Sequence, residues 1–165
     1  MTRGQYASDI LFSVFDGATR NYQAIFERDL ANICQSDVFN DKRKTLCKSA
    51  RIQLFRWCID CKSLAFIILF NRTIFVSTNL AEMLVQENQR KFLIGHELGH
   101  LILHTNDQLE ADAFGARISN PDAAIQVLSM LAKGSTLSKK QLNLFNERIK
   151  QLQKMKNEQI SKAPL

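Results

Sequence analysis

The first pattern along the chain is an apolar stripe between residues 22 and 33 whose members stand three or four positions apart. This spacing puts the apolar side chains on one face of an α-helix. A second helix is expected to begin at a cap formed by Asp41 and to run through Ala50 and Leu54 towards Trp57. Both predicted helices are interpreted as scaffold.

The pattern changes to β-type between residues 64 and 77. Residues 64–70 and 73–77 are rich in β-branched and aromatic side chains, and Asn71 and Arg72 separate the two runs. Such a sequence predicts two short strands joined by a tight turn. We expect the hairpin near residues 74–77 to offer a sheet edge to an extended peptide.

Helical periodicity dominates the second half of the chain. A long helix is predicted over about residues 89–104, and a turn at 105–107 leads into another helix over about 108–118. Pro121 suits the first turn of a third helix. A fourth is expected to begin at a cap formed by Ser138 and to carry one apolar stripe with a lysine-rich opposite face.

Length and charge restrict the class of protein. With 165 residues, 45% hydrophobic and 23% charged, the chain has the composition of one folded body, and disordered or collagen-like classes are excluded. We expect residues 1–133 to form that body and residues 134–165 to form a basic helix packed on it or extending from it. The whole net charge of +6 lies in residues 133–165, so nucleic acid is not the expected partner of the body, and an acidic protein is the candidate partner of the basic helix.

The compartment is predicted from what the sequence lacks. No signal peptide and no membrane-spanning segment is recognisable, so we expect a cytoplasmic protein, with non-classical secretion into another cell as the alternative that leaves no sequence signal. The four cysteines are Cys34, Cys47, Cys58 and Cys61, which are too few and too irregularly spaced for a disulfide framework. We expect them to be reduced thiols.

The candidate chemistry lies within the long helix, where His96, Glu97 and His100 form an H-E-x-x-H pattern. Residues at i and i+4 share one helix face, so both imidazoles can bind one Zn²⁺ ion while the glutamate reaches the metal-bound water as general base. Two surface histidines could match the pattern by chance. The flanking residues are apolar, however, and Gly95 and Gly99 would each cost about 1 kcal/mol in a merely structural helix. We therefore expect something to approach this backbone closely.

Residues 71–116 resemble the ImmA/IrrE family of zinc metallopeptidases. The resemblance rests on the strand at residues 74–76, the run from His96 to His104, and the segment 110–116. Residues 110–124 are also similar to Ste24/HtpX-type metallopeptidases. The resemblance implies an α+β, mainly helical, gluzincin-like domain whose small sheet packs against the H-E-x-x-H helix, together with one zinc ion.

The third metal ligand is where the chain departs from this resemblance. Both families place a glutamate where this chain has Gln108, and an amide oxygen is a weak zinc ligand. We expect a neighbouring carboxylate instead: Glu110 first, then Asp112, then Asp107. A residue among these that is not a ligand, or Gln108 itself, is expected to orient a histidine from behind.

Two further residues near the motif are considered for supporting roles. His104 lies four positions after His100 and is expected to cap the helix or face solvent, with ligation as the less favoured alternative. No clear donor for an oxyanion is recognisable, and Arg117 is a guess.

The leading hypothesis is a zinc-dependent endopeptidase that hydrolyses a specific protein, either as a regulatory step or on a host or partner protein. One alternative is a degenerate metal-binding interaction module without protease activity, which Gln108 motivates. Another is nucleic-acid binding through the basic C-terminal segment.

Overall fold

The structure, a computed structural model, describes residues 17–55, 65–134 and 137–161. Its contacts divide the chain into two units, and the division falls between Val85 and Gln86. The described part of the first unit contains helices and a three-stranded sheet, and that of the second contains helices. The α+β class predicted from the sequence is confirmed.

The described part of the first unit begins with the amphipathic helix that the apolar stripe predicts, and Phe26, Leu30 and Ile33 are buried along it. Its elements in chain order are α1 (Gly17–Gln35), α2 (Asp41–Lys48), β1 (Arg51–Phe55), β2 (Ala65–Ile68), β3 (Thr73–Ser77) and α3 (Thr78–Met83).

The second predicted helix is shorter than expected, and its extension through Leu54 is wrong. Asn40, not Asp41, is the cap, with its side chain accepting a hydrogen bond from the backbone N–H of Arg43. The helix ends at Lys48, and residues 51–55 form strand β1. Ile52 and Leu54 are buried while Gln53 between them is half-buried, which is the two-residue alternation of a strand. Trp57 lies outside the described residues.

The predicted hairpin is confirmed, because β2 and β3 pair antiparallel. Strand β3 also pairs in parallel with β1, so it is the central strand of the sheet. Strand β3 itself has hydrogen-bonded partners on both sides, so within the described sheet the edge strand of the hairpin is β2. The outer side of β1 is covered in part by Gln23, whose amide donates to Ile52 O at 2.7 Å and accepts from Leu54 N at 2.9 Å.

Helices α1 and α2 are joined by a disulfide between Cys34 and Cys47, both of which are buried. The expectation of reduced thiols is wrong for this pair. The two cysteines are 13 residues apart in the sequence, and the connection between the helices brings them together. Their spacing alone did not reveal this pairing. Cys58 and Cys61 lie outside the described residues.

The second unit contains the helices that the periodicity predicts. They are α4 (Glu87–Leu103), α5 (Gln108–Ile118), α6 (Pro121–Gly134) and α7 (Lys139–Ser161). Asp107 caps α5 by accepting from Leu109 N, and Ser138 Oγ accepts from Gln141 N at the start of α7. In the described segments, no helix has both the length and the apolar character needed to cross a membrane.

The core of the second unit lies where these four helices meet. Leu98 of α4, Val127 and Leu128 of α6 and Leu152 of α7 are almost completely buried. Helix α7 packs on α5 and α6 through its apolar stripe. Most of its lysines face solvent, as the amphipathic pattern predicts.

Candidate metal centre

Helices α4 and α5 cross at backbone contact, and glycines make this possible. A Cβ atom on Gly95 would lie 2.9 Å from Cα of Gly115, and one on Gly99 would lie 3.0 Å from Cα of Ala111. Real Cβ atoms essentially never approach a neighbour as closely as at Gly95, and the contact at Gly99 would be tighter than nine in ten real ones. The close approach expected from Gly95 and Gly99 is confirmed, and the approaching group is α5.

This crossing brings side chains of α5 beside the two histidines of the motif. Asp112 reaches His96, and Gln108 reaches His100. The two imidazole rings lie 4.9 Å apart between centroids, with their planes perpendicular. The spacing of four residues thus places both rings on one face of α4, as predicted.

His96 is buried and held by a carboxylate. Its Nδ1 atom lies 2.8 Å from Oδ1 of Asp112, and its exposed fraction is 7%. Burial lowers the pKa of His96 more than the neighbouring carboxylate raises it, which favours the neutral imidazole. With the proton on Nδ1, the nitrogen beside this carboxylate, the lone pair would lie on Nε2, the nitrogen that a metal would take.

His100 has the same proton arrangement for a different reason. Its Nδ1 lies 2.8 Å from the backbone carbonyl oxygen of Thr105. A carbonyl only accepts, so Nδ1 donates, and in the neutral ring the lone pair is then on Nε2. The contact forms because α4 ends at Leu103 and is followed by His104, an exposed residue with a left-handed backbone (φ 53°) that turns the chain back towards His100.

Asp112 is held in turn by Arg148 of α7, which the sequence analysis missed. Arg148 Nε donates to Oδ2 at 2.6 Å and its terminal nitrogen donates to Oδ1 at 2.7 Å. Burial alone would raise the pKa of Asp112, but the hydrogen bonds from Arg148 and His96 outweigh it and lower the pKa. The carboxylate therefore stays ionised and faces His96.

A sequence signal for Arg148 did exist. It lies three residues after Phe145 and four before Leu152, on the apolar stripe of a helix whose other charges point outward. A charged residue on a buried face requires a partner. Its guanidinium also lies 5.2 Å from the centre of the Phe145 ring.

The carboxylates expected as third ligand are placed away from the histidine Nε2 atoms or are engaged elsewhere. Glu110 is exposed in the first turn of α5. Asp107 is the helix cap, and Asp112 lies behind His96 on Arg148. Within residues 17–55, 65–134 and 137–161, no group of three or more His, Cys, Asp and Glu side chains is placed to hold a metal ion.

The residue beside His100 is Gln108, whose Nε2 lies 3.3 Å from Nε2 of His100. The donors that fit a metal here are therefore two imidazoles and one amide. Glu97 is buried with 5% of its surface exposed, next to His96 on α4. Arg117, the guess for an oxyanion donor, is exposed near the end of α5.

Comparison with protein families identifies the family of this chain. The sequence model of peptidase family M48 matches residues 59–159, which include every residue of the centre described above. The chain belongs to peptidase family M48. Its members are metallopeptidases, so the expectation of a peptide-bond hydrolase is confirmed at the level of the family. Comparison with curated proteins and with solved structures gave no significant match.

Proposed function

We propose that this M48 family chain is a zinc-dependent endopeptidase that hydrolyses a specific protein substrate. One observation carries the proposal: both histidines of the motif have Nδ1 against an oxygen acceptor, Asp112 for His96 and Thr105 for His100. Their Nε2 lone pairs are thereby left for a metal. Metal-binding histidines in proteins commonly carry such a partner on the other ring nitrogen.

One zinc ion would be held by His96 and His100. When bound, zinc lowers the pKa of a coordinated water and polarises the scissile carbonyl. The third protein ligand is the open point, for which the sequence favours Glu110 over Asp112 and Asp107.

The side chains of the centre have separate roles. The Glu97 carboxylate accepts the proton of the attacking water and passes it to the leaving amide nitrogen. Its burial beside His96 keeps this proton transfer away from bulk solvent. Asp112 maintains the Nδ1 proton of His96, and Arg148 keeps Asp112 ionised and oriented.

Replacing Glu97 with Gln tests the mechanism. The substitution preserves shape and removes the base, so we expect loss of cleavage by at least a hundredfold with unchanged metal content. Because the substrate is unidentified, cleavage is measured by proteomic comparison of extracts incubated with wild-type protein or with the variant. Glu147→Gln, at an exposed position of α7, is the matched control. Undiminished cleavage by metal-loaded Glu97→Gln would refute the assigned role.

A second candidate function is a metal-binding interaction module without protease activity. The observation that favours it is the neutral amide of Gln108 beside His100 in place of a carboxylate. This alternative predicts that metal stabilises the fold while no partner is hydrolysed. Thermal unfolding with and without zinc, together with the proteomic comparison, separates the two functions.

The partner and the location are also proposals. The substrate is a protein, of the regulatory or host-directed kind that the ImmA/IrrE resemblance implies. An acidic protein is the partner that suits α7, where Lys139, Lys140, Lys150 and Lys154 are exposed. A cytoplasmic location stays a prediction that the Cys34–Cys47 disulfide does not support, since disulfides persist mainly in oxidising compartments.

A further inference from the structure

The orientation of the Gln108 amide follows from the hydrogen bonds of His100. In the neutral tautomer that donates from Nδ1 to the Thr105 carbonyl, the Nε2 atom of His100 carries a lone pair and accepts. The Gln108 Nε2 atom, 3.3 Å away, therefore donates to the lone pair that a metal would take. Gln108 lies at the first position of α5, directly after the cap at Asp107, so the start of a helix positions its side chain.

A rotation of half a turn about the last side-chain bond of Gln108 exchanges its amide nitrogen and oxygen. The last torsion of glutamine is broad, so this exchange has little intrinsic cost. It places Oε1 about where Nε2 lies, at 3.3 Å from His100 Nε2. Two ligands that each lie about 2.0–2.1 Å from a tetrahedral zinc ion are roughly 3.3–3.4 Å apart. The separation therefore matches that of two ligands of one ion.

We propose that Gln108 is the third protein ligand, through Oε1, so that the metal is held by two imidazoles and an amide. This inference rests on the proposed metallopeptidase function and replaces Glu110 as the preferred ligand. Glu110 is exposed, whereas Gln108 already contacts the metal-facing nitrogen of His100.

A ligand set without charge has a consequence for regulation. Two neutral imidazoles and an amide attract a divalent cation less strongly than a set that includes a carboxylate. In addition, the Gln108 N–H group competes with the metal for the His100 lone pair. Occupancy of the centre, and with it activity, then varies with the free metal concentration.

Metal affinity tests this assignment without any assay of hydrolysis. The dissociation constant for Zn²⁺ is measured by competition with a chelating dye, and the absorption spectrum of the Co²⁺ form reports on the ligands. The variants are Gln108→Leu, which removes the ligand, and Gln108→Glu, which supplies a carboxylate. Glu110→Gln, in the same helical turn, is the matched control.

We expect Gln108→Leu to bind Zn²⁺ at least tenfold more weakly than wild type, and Gln108→Glu at least tenfold more tightly. Both should change the Co²⁺ spectrum, and Glu110→Gln should change neither measurement. The proposal is overturned if Gln108→Leu retains wild-type affinity and spectrum, if Glu110→Gln weakens binding tenfold, or if the wild-type chain binds no Zn²⁺. A metal-loaded wild type that cleaves nothing would instead refute the peptidase function and leave the ligand assignment standing.

Discussion

Replacing Gly115 with alanine tests whether backbone contact between α4 and α5 builds the metal centre. A Cβ atom at this position would lie 2.8 Å from the carbonyl oxygen of Phe92 and 2.9 Å from the backbone nitrogen of His96. Both are backbone atoms of α4 and cannot rotate away as a side-chain end can. The two helices would have to separate.

Two opposing terms set the size of the effect. Alanine is favoured over glycine in a helix interior by about 1 kcal/mol. Overpacking a tight contact costs about 1–3 kcal/mol, and fixed backbone neighbours place this case near the upper end. The net loss of unfolding free energy is then about 2 kcal/mol. For a chain of this size, that lowers the melting temperature by about 4–8 °C.

The assay is urea and thermal unfolding in the presence of a chelator, followed by a Zn²⁺ titration. Ala113→Gly in the same helix is the control, and propensity predicts that it destabilises by about 1 kcal/mol. Helix separation would also move Gln108 and Asp112 away from the histidines, so the Gly115→Ala variant should bind Zn²⁺ more weakly. A Gly115→Ala protein that is more stable than wild type would refute the reasoning, because propensity alone predicts that sign.

Three further outcomes are expected. Arg148→Met leaves the buried Asp112 carboxylate without its cation and should lower the unfolding free energy, measured in urea, by about 3–5 kcal/mol. A change under about 0.5 kcal/mol would contradict the role of this pair. Reduction of the Cys34–Cys47 disulfide, which closes a short loop, should remove about 3 kcal/mol, whereas a double Cys→Ala variant should melt at the same temperature with or without reductant. With metal chelated, stability should fall as the pH drops below 6.5, the ordinary pKa of histidine, because His96 has a lowered pKa when folded and only the unfolded chain takes up its proton there. Asp112 also has a lowered pKa, so its stabilisation should persist to below pH 3.8 and does not interfere at higher pH. The measurement is urea unfolding at pH 8, 6.5 and 5. Stability that rises in acid would be incompatible with a buried neutral His96.

The helices of the second unit could be predicted because their signals are local. Helix α5 spans Gln108–Ile118, as expected, and α4 begins and ends within two residues of the prediction. The placement of His96 and His100 on one face follows from helix geometry alone. Each of these features depends on residues at most a few positions apart.

Strand β1 shows where local reasoning failed. Ala50 and Leu54 are four residues apart, which suits a helix, yet the segment pairs with β3, more than 20 residues later in the chain. Hydrogen bonds to a distant strand outweighed a weak local preference. The Cys34–Cys47 disulfide was missed for a related reason, since it depends on how α1 and α2 fold back on each other.

The sequence by itself predicted the candidate centre, because two histidines and a glutamate on one helical turn are the pattern of a metal site with a base. Only the tertiary structure decided which groups surround them. Asp112 and Arg148 are 36 residues apart and meet because α7 packs on α5, and Gln108 reaches His100 because glycines let α4 and α5 touch. The group beside each histidine is set by helix packing, which is a contact between distant segments, and sequence spacing does not reveal it.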